Sequence, residues 1–242
     1  GGIGFPVILD LIRNKKLSKL NIHSKVVLFT TFVLIGFGML FILVLEYNNP
    51  KTLGQLGFGG KILASLFQSV TLRTAGFNTI DLGAMTQSSK LLTDVLMFIG
   101  GSPGSTAGGI KTTSIVVMIC YIGANLNGIQ GVNILGRRIS EEDVKKASVV
   151  MGINMGIAVA ALIAITAVQP FNMDDLLLEV FSAIGTVGLS TGITRQLNVA
   201  SQIVIILLMF CGRIGTVTFA STFAYNRKQV KLLNPEEHVN VG

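Results

Sequence analysis

Residues 26–45 and 147–168 are runs of 20 and 22 residues without one charged side chain, and nothing else narrows the possible folds as much. A backbone placed in hydrocarbon has to satisfy its own N–H and C=O groups, so such a run can only be a continuous helix. At 1.5 Å per residue each reaches about 30 Å, the thickness of a bilayer core. Both are expected to span a membrane. Residues 91–123 and 199–225 are also long and apolar, but their polar and glycine interruptions predict broken helices facing protein or a pore. With half of its residues hydrophobic, 13% charged and a mean hydropathy of +0.67, the chain lies outside the range of ordinary soluble domains.

The net charge of +7 raises the question of nucleic acid, and the placement of the charges answers it. Of 19 Lys and Arg, 12 fall in three segments: Arg13, Lys15, Lys16, Lys19 and Lys25; Arg137, Arg138, Lys145 and Lys146; Arg227, Lys228 and Lys231. These segments flank the apolar runs on one side, which the positive-inside rule makes cytoplasmic. No aromatic platform accompanies them, so nucleic-acid binding is excluded in favour of a lipid bilayer. Cys120 and Cys211 lie inside apolar stretches as small hydrophobes, and His23 and His238 are isolated. Neither a catalytic triad, a zinc motif nor a carboxylate pair is visible, and the chain is read as no enzyme, with no organic cofactor.

A short motif occurs twice. Thr74-Ala75-Gly76-Phe77-Asn78-Thr79 returns 112 positions later as Thr186-Val187-Gly188-Leu189-Ser190-Thr191, each time after a short apolar segment and before a long one. The second copy is similar to the Thr-Val-Gly-Tyr-Gly of potassium-channel filters, where backbone carbonyls replace the ion's hydration shell. Permeation rather than catalysis follows, with potassium held by the carbonyls of Thr74, Ala75, Gly76 and Phe77 and of Thr186, Val187, Gly188 and Leu189. The segment before the first copy, 61–71, has 11 residues and as a helix reaches about 16 Å, half a bilayer core. It is expected to enter and turn back, aiming its negative C-terminal dipole at a cation. Gly76 and Gly188 supply the backbone angles that turn carbonyls toward an axis. Phe77-Asn78 and Leu189-Ser190 stand where the channel motif has Tyr-Gly, so fewer carbonyl layers and weaker discrimination against sodium are expected.

Between two apolar stretches lies Gly100-Gly101-Ser102-Pro103-Gly104-Ser105-Thr106-Ala107-Gly108-Gly109, with five glycines and a proline in ten residues. At about 1 kcal/mol per Gly and 3 for Pro it is no continuous helix. A phosphate-binding loop is the alternative reading, but Ile110 separates Gly109 from Lys111 and no strand precedes the glycines. Three cations sit at membrane depth, where ionisable groups are functional candidates. Arg73 is expected to be tied behind the first loop to carbonyls or to an acid, Glu179 or Asp94. Arg213 is expected to face the permeation route, against the alternative that it pins a loop or helix. Lys111 is expected to reach toward the cytoplasmic interface.

The doubled arrangement, with Gly1-Gly2-Ile3-Gly4-Phe5-Pro6, the segment 71–79 and the segment 100–113, resembles the Trk/Ktr/HKT superfamily of potassium transporters, and within it the bacterial KtrB-type membrane subunits. The resemblance covers the whole chain. It implies four units around one pore, of which this chain supplies the last two, and an apolar start that reads as the inner end of a helix from a preceding unit. The expected fold is an all-α membrane protein built as two repeats of helix, re-entrant pore half-helix with filter loop, and broken helix. Residues 1–20 then end the preceding repeat and form a basic loop; 21–125 and 145–227 are pore repeats; 126–144 is a cytoplasmic linker and 228–242 a cytoplasmic tail. The resemblance further implies potassium uptake across a bacterial plasma membrane, gating by residues 100–109 with Lys111 and Arg213, a homodimer, and a cytosolic nucleotide-binding regulatory ring of the KtrA type. Sodium dependence stays open. The alternatives are a channel-like subunit of the same superfamily coupled to an ATPase, and a membrane enzyme or lipid-binding structural protein.

Overall fold

The computed structural model of the chain describes residues 2–129 and 131–215. The expectations placed on Gly1, on His238, on the basic cluster Arg227, Lys228 and Lys231, on the second half of the broken helix 199–225 and on the C-terminal tail lie outside the described residues.

Helix α1 spans Phe5–Asn14, with Pro6 in its first turn, where a missing N–H costs nothing. The uncharged run 26–45 lies within α2, Ile22–Glu46, and the run 147–168 within α6, Glu141–Val168. At 25 and 28 residues, both are long and apolar enough to cross a membrane. Phe29, Phe32 and Val44 stand exposed along α2, as lipid-facing side chains would. The sequence places the start of α6 six residues late, because the charges of Glu141, Glu142 and Asp143 hide it. They occupy the first turn, where acids favour the helix dipole, and the Ser140 hydroxyl caps the Asp143 N–H at 3.1 Å.

Each long helix is followed by a short one. Helix α3 spans Phe58–Thr71, 14 residues or about 21 Å, and α7 spans Met173–Gly185. The expected segment 61–71 thus gains a turn at its front, since Phe58 to Gly60 carry no signal that separates them from the loop before. A loop leads from α3 through Leu82–Ala84 to α4, Gln87–Phe98, and after residues 99–111 the chain resumes as α5, Thr112–Leu126. The interruption expected within 91–123 is therefore present. From α7 the chain passes through Ile193–Gln196 to α8, Val199–Ile214.

The stretch expected as a cytoplasmic linker, 126–144, contains the one strand pair among the described residues. Strands β1, Asn133–Ile134, and β2, Arg137–Arg138, pair antiparallel around Leu135 and Gly136, at φ 49° and 76°. Two consecutive positive φ values give a turn whose twist matches that of the flanking strands.

Two apolar clusters meet at α7. One joins Ala158, Leu162 and Ile165 of α6 to Leu176, Val180 and Ile184 of α7 and to Ile205 and Leu208 of α8. The other joins Ile42 of α2 and Leu96 and Met97 of α4 to Leu178 of α7, and includes Leu72, Val187 and Leu189. Helix α7 is thereby held among α4, α6 and α8, and the Phe98 and Phe181 rings meet edge to face at 5.2 Å. At the end of α2 the fully buried Glu46 carboxylate accepts from Asn49 Nδ2 (2.7 Å), Thr52 Oγ1 (2.6 Å), Thr86 N (2.9 Å) and Thr86 Oγ1 (2.8 Å). These bonds satisfy the buried charge and fix where α4 begins.

Candidate functional site

The loops after α3 and α7 share one backbone pattern. Thr74 and Gly76 have φ of 64° and 76°, Thr186 and Gly188 have 54° and 88°, and Ala75 and Val187 between them stay on the negative side. In an all-negative extended chain successive carbonyls alternate sides; reversing φ at every second residue brings them toward one side. The sequence reading expected the special angles at the glycines alone. The threonines carry them too, and in the second loop Thr186 terminates α7 as a left-handed cap, with Thr186 N donating to Ala183 O (3.1 Å) and Val187 N to Ser182 O (2.9 Å).

In the first loop the N–H side is tied backward, as it is at the head of the second. Ala75 N and Gly76 N donate to Thr71 O at 3.1 and 3.2 Å, and Phe77 N donates to Thr71 Oγ1 at 2.7 Å. Glu179 does the corresponding work beyond the second loop, accepting from Ser190 Oγ, from Thr191 N (3.2 Å) and from Thr194 Oγ1 (2.7 Å). No donor reaches the carbonyls of Thr74, Ala75, Gly76, Thr186, Val187 or Gly188 among the described residues. Free carbonyls on a loop whose N–H groups are anchored behind can meet a cation, and the C-termini of α3 and α7 add negative dipole ends. The loops also touch each other: a Cβ on Gly76 would fall deep inside the contact radius of Val187 O.

The remaining filter candidates divide by loop. Val187 and Leu189 are buried in the apolar cluster, whereas Phe77 is 68% exposed. The matching position is thus core in one loop and surface in the other. Among the described residues, the one carbonyl of the eight candidates that takes a protein hydrogen bond is that of Phe77, from Thr71 Oγ1 at 2.8 Å.

Residues 100–109 form a closed excursion. Ile99 pairs with Ile110 in a parallel bridge, which brings the end of α4 to the start of α5. The excursion is anchored at nearly every residue. Gly101 O accepts from Thr112 N (3.1 Å), Ser102 N donates to Gly2 O (2.7 Å), Gly104 O accepts from Phe5 N (3.0 Å) and Ser105 Oγ donates to Ser102 O (2.6 Å). Pro103 lies against Gly4, and Gly109, at φ 67°, lies beside Gly185. Gly108 N donates to Thr186 Oγ1 at 2.8 Å, joining the excursion to the second filter candidate. A side chain at Gly108 would press on Thr186 Oγ1 at 2.5 Å, so this approach requires glycine.

Three cations bind the same excursion. Arg73 is buried and its Nη2 donates to Gly100 O at 3.0 Å, so of the expected partners a carbonyl is the one found. Glu179 and Asp94 are not its partners: Glu179 is taken up by Ser190, Thr191 and Thr194, and Asp94 makes no bond to it. Lys111 Nζ donates to Ala107 O, four residues back along the chain, which gives the ammonium a carbonyl partner on the excursion. Arg213, on α8, donates through Nη1 to Thr106 O while its side chain stays exposed. Two positive charges therefore sit on adjacent carbonyls at the tip of the excursion, and Arg213 shows the loop-pinning contact expected of the alternative reading. Gly212 beside it packs on Ile184 O, which lets α8 approach α7 closely. Glu179 and Thr71 hold the two loops through hydrogen bonds that the sequence did not point to. Their signal is a polar residue in an otherwise apolar short helix before a hydroxyl-rich loop.

Each of the two helices long and apolar enough to cross a membrane thus leads into a short helix that ends on carbonyls without a donor among the described residues. The chain belongs to the TrkH family of cation transport proteins, whose family model matches residues 1–233. It is 39% identical over its full length to the Ktr system potassium uptake protein B of Bacillus subtilis, covering 54% of that protein. It is 35% identical, again over its full length, to the potassium/sodium uptake protein NtpJ of Enterococcus hirae, covering 55%. The crystal structure of the potassium transporter TrkH from Vibrio parahaemolyticus shares the fold at a TM-score of 0.70 and 19% identity, over 93% of this chain and 50% of the other. The chain spans about half the length of these relatives. The Trk/Ktr resemblance expected from the motifs is correct, and the family is one of cation transporters rather than enzymes.

Proposed function

We propose that the protein takes up potassium across a bacterial plasma membrane as a multi-pass transporter, and that the loops 74–77 and 186–189 form half of a selectivity filter. The observation that carries this reading is the matched alternation of φ in two loops, with N–H groups anchored at Ala75, Gly76, Phe77, Thr186 and Val187, and with the carbonyls of 74–76 and 186–188 free of donors among the described residues. Potassium uptake by the two relatives named above supports the choice of ion, and the wording "potassium/sodium" for one of them supports a role for sodium. The short helices α3 and α7 are re-entrant half-helices, and two further units of the same kind complete the ring. Domain limits follow the repeats 21–125 and 145–227.

The excursion 100–109 is the gate. Its bond from Gly108 to Thr186 places it against the second loop, and Lys111 and Arg213 hold positive charge on it. A unit charge in a poorly solvated constriction opposes a cation by several kcal/mol before screening (about 4 kcal/mol at 4 Å and an effective dielectric near 20). Opening then requires the tip to leave Arg213, and a homodimer on a cytosolic nucleotide-binding ring supplies the regulation. Gly188→Ser in the full-length protein tests the filter directly. Potassium uptake should lose its preference over sodium; an unchanged preference at equal protein level overturns the reading.

A further inference from the structure

Four acids are buried among the described residues, and three are satisfied. Asp10 accepts from Asn14 Nδ2 (2.6 Å) and Asn21 N (3.0 Å), while Glu46 and Glu179 hold the networks described above. Asp94 is the exception. It is 2% exposed on α4, and its Oδ1 has no hydrogen-bond donor.

Asp94 lines a cleft of about 230 Å³ between α4 and α7. Gln87, Ser88 and Asp174 bring further oxygen atoms to it, and Leu91 and Leu177 complete its walls. Two carboxyl groups thus face one space. The nearby cation is Lys90, one turn before Asp94 on the same helix, and its Nζ is taken by Asp175 Oδ1 at 2.7 Å. A carboxylate without a donor is poorly tolerated in a low-dielectric interior, and a second carboxylate on the same cleft makes it worse. A hard cation relieves both, because it takes carboxylate, hydroxyl and amide oxygens together. Two carboxylates and two neutral oxygens leave the rest of the ion's shell to water, as hard-cation sites commonly do.

We propose that this cleft binds one alkali cation through Asp94 and Asp174, with oxygens from Ser88 and Gln87, at a site separate from the filter loops. None of its lining residues belongs to residues 74–77 or 186–189. The site does not depend on the filter reading, and occupancy would tie α4 to α7, the helix that carries the second loop.

The test uses the full-length protein purified in detergent. Thermal unfolding is followed at fixed pH and ionic strength in sodium chloride, potassium chloride or N-methylglucamine chloride, in the parent and in a Gly188→Ser background that separates the filter's contribution. An alkali cation should raise Tm in both, and comparing sodium with potassium identifies the ion. Asp94→Asn and Asp174→Asn should each raise the half-maximal cation concentration about tenfold or more. Should Asp94→Asn fail to fold, the half-buried Asp174 carries the test. A cation response unchanged by both substitutions overturns the site, as does one abolished by Gly188→Ser alone. Asp94→Asn that stabilises the protein equally in all three salts also overturns it, since the acid would then hold a proton.

Discussion

Replacing Gly76 by alanine perturbs the filter candidate at one defined point. Two costs add there. A side chain at φ 76° costs about 1–2 kcal/mol relative to a right-handed conformation. The new Cβ would also press on Val187 O, and removing that overlap takes a displacement on the order of 1 Å, because relaxed carbon contacts lie near 3.5 Å. Val187 is 4% exposed and packed in the apolar cluster, so the second loop cannot yield without disturbing Leu178 and Leu189. The strain therefore falls on the carbonyls. A loss of 1–2 kcal/mol is a factor of about 5–30 in an equilibrium, so the preference for potassium over sodium should fall about fivefold or more. Gly188→Ala provides the comparison: it carries the φ strain at 88° but meets nothing within 4 Å among the described residues, and its effect should be smaller. The assay is potassium uptake into cells lacking other uptake systems, with sodium as competitor, normalised to membrane protein level. Unchanged discrimination by Gly76→Ala at the parental level, or a larger effect at Gly188→Ala, refutes the reasoning.

Two further outcomes concern the gate. Deleting most of residues 100–109 should raise basal potassium flux in proteoliposomes and loosen its dependence on the regulatory ring; a variant that folds and conducts no more than the parent removes the loop as barrier. Arg213→Ala, which loses both the charge and the bond to Thr106 O, should speed potassium entry per folded molecule, and Arg213→Lys should do so less. A lower folded yield with unchanged flux per molecule would make Arg213 a structural pin only.

The parts of the fold legible in the sequence are those fixed by bulk chemistry. An uncharged run of 20 residues leaves the backbone one option, so α2 and α6 are readable from it. The interruption at 100–109 is equally readable, because glycine and proline act locally. Helix starts were less so. Charges at 141–143 look like a loop until the Ser140 cap shows that they sit in a first turn. The hairpin at 133–138 rests on Leu135 at positive φ, which only the fold can impose on a leucine. In the candidate site, the glycines are legible because their chemistry is special, but Thr74 and Thr186 share the same conformation without a sequence mark. The partners of Arg73 and Lys111 were not legible either. Both bond to backbone carbonyls, which every residue has, so no residue type could point to Gly100 or Ala107.

The central claim is that the free carbonyls of the two loops hold potassium. Crystals of the full-length protein grown with thallium in place of potassium measure this directly through the anomalous signal of the ion. The account predicts a peak between residues 74–76 and 186–188, within coordination distance of the carbonyls of Ala75 and Val187, that weakens in Gly76→Ala. Thallium bound elsewhere along the chain, with those carbonyls facing only protein, would contradict it.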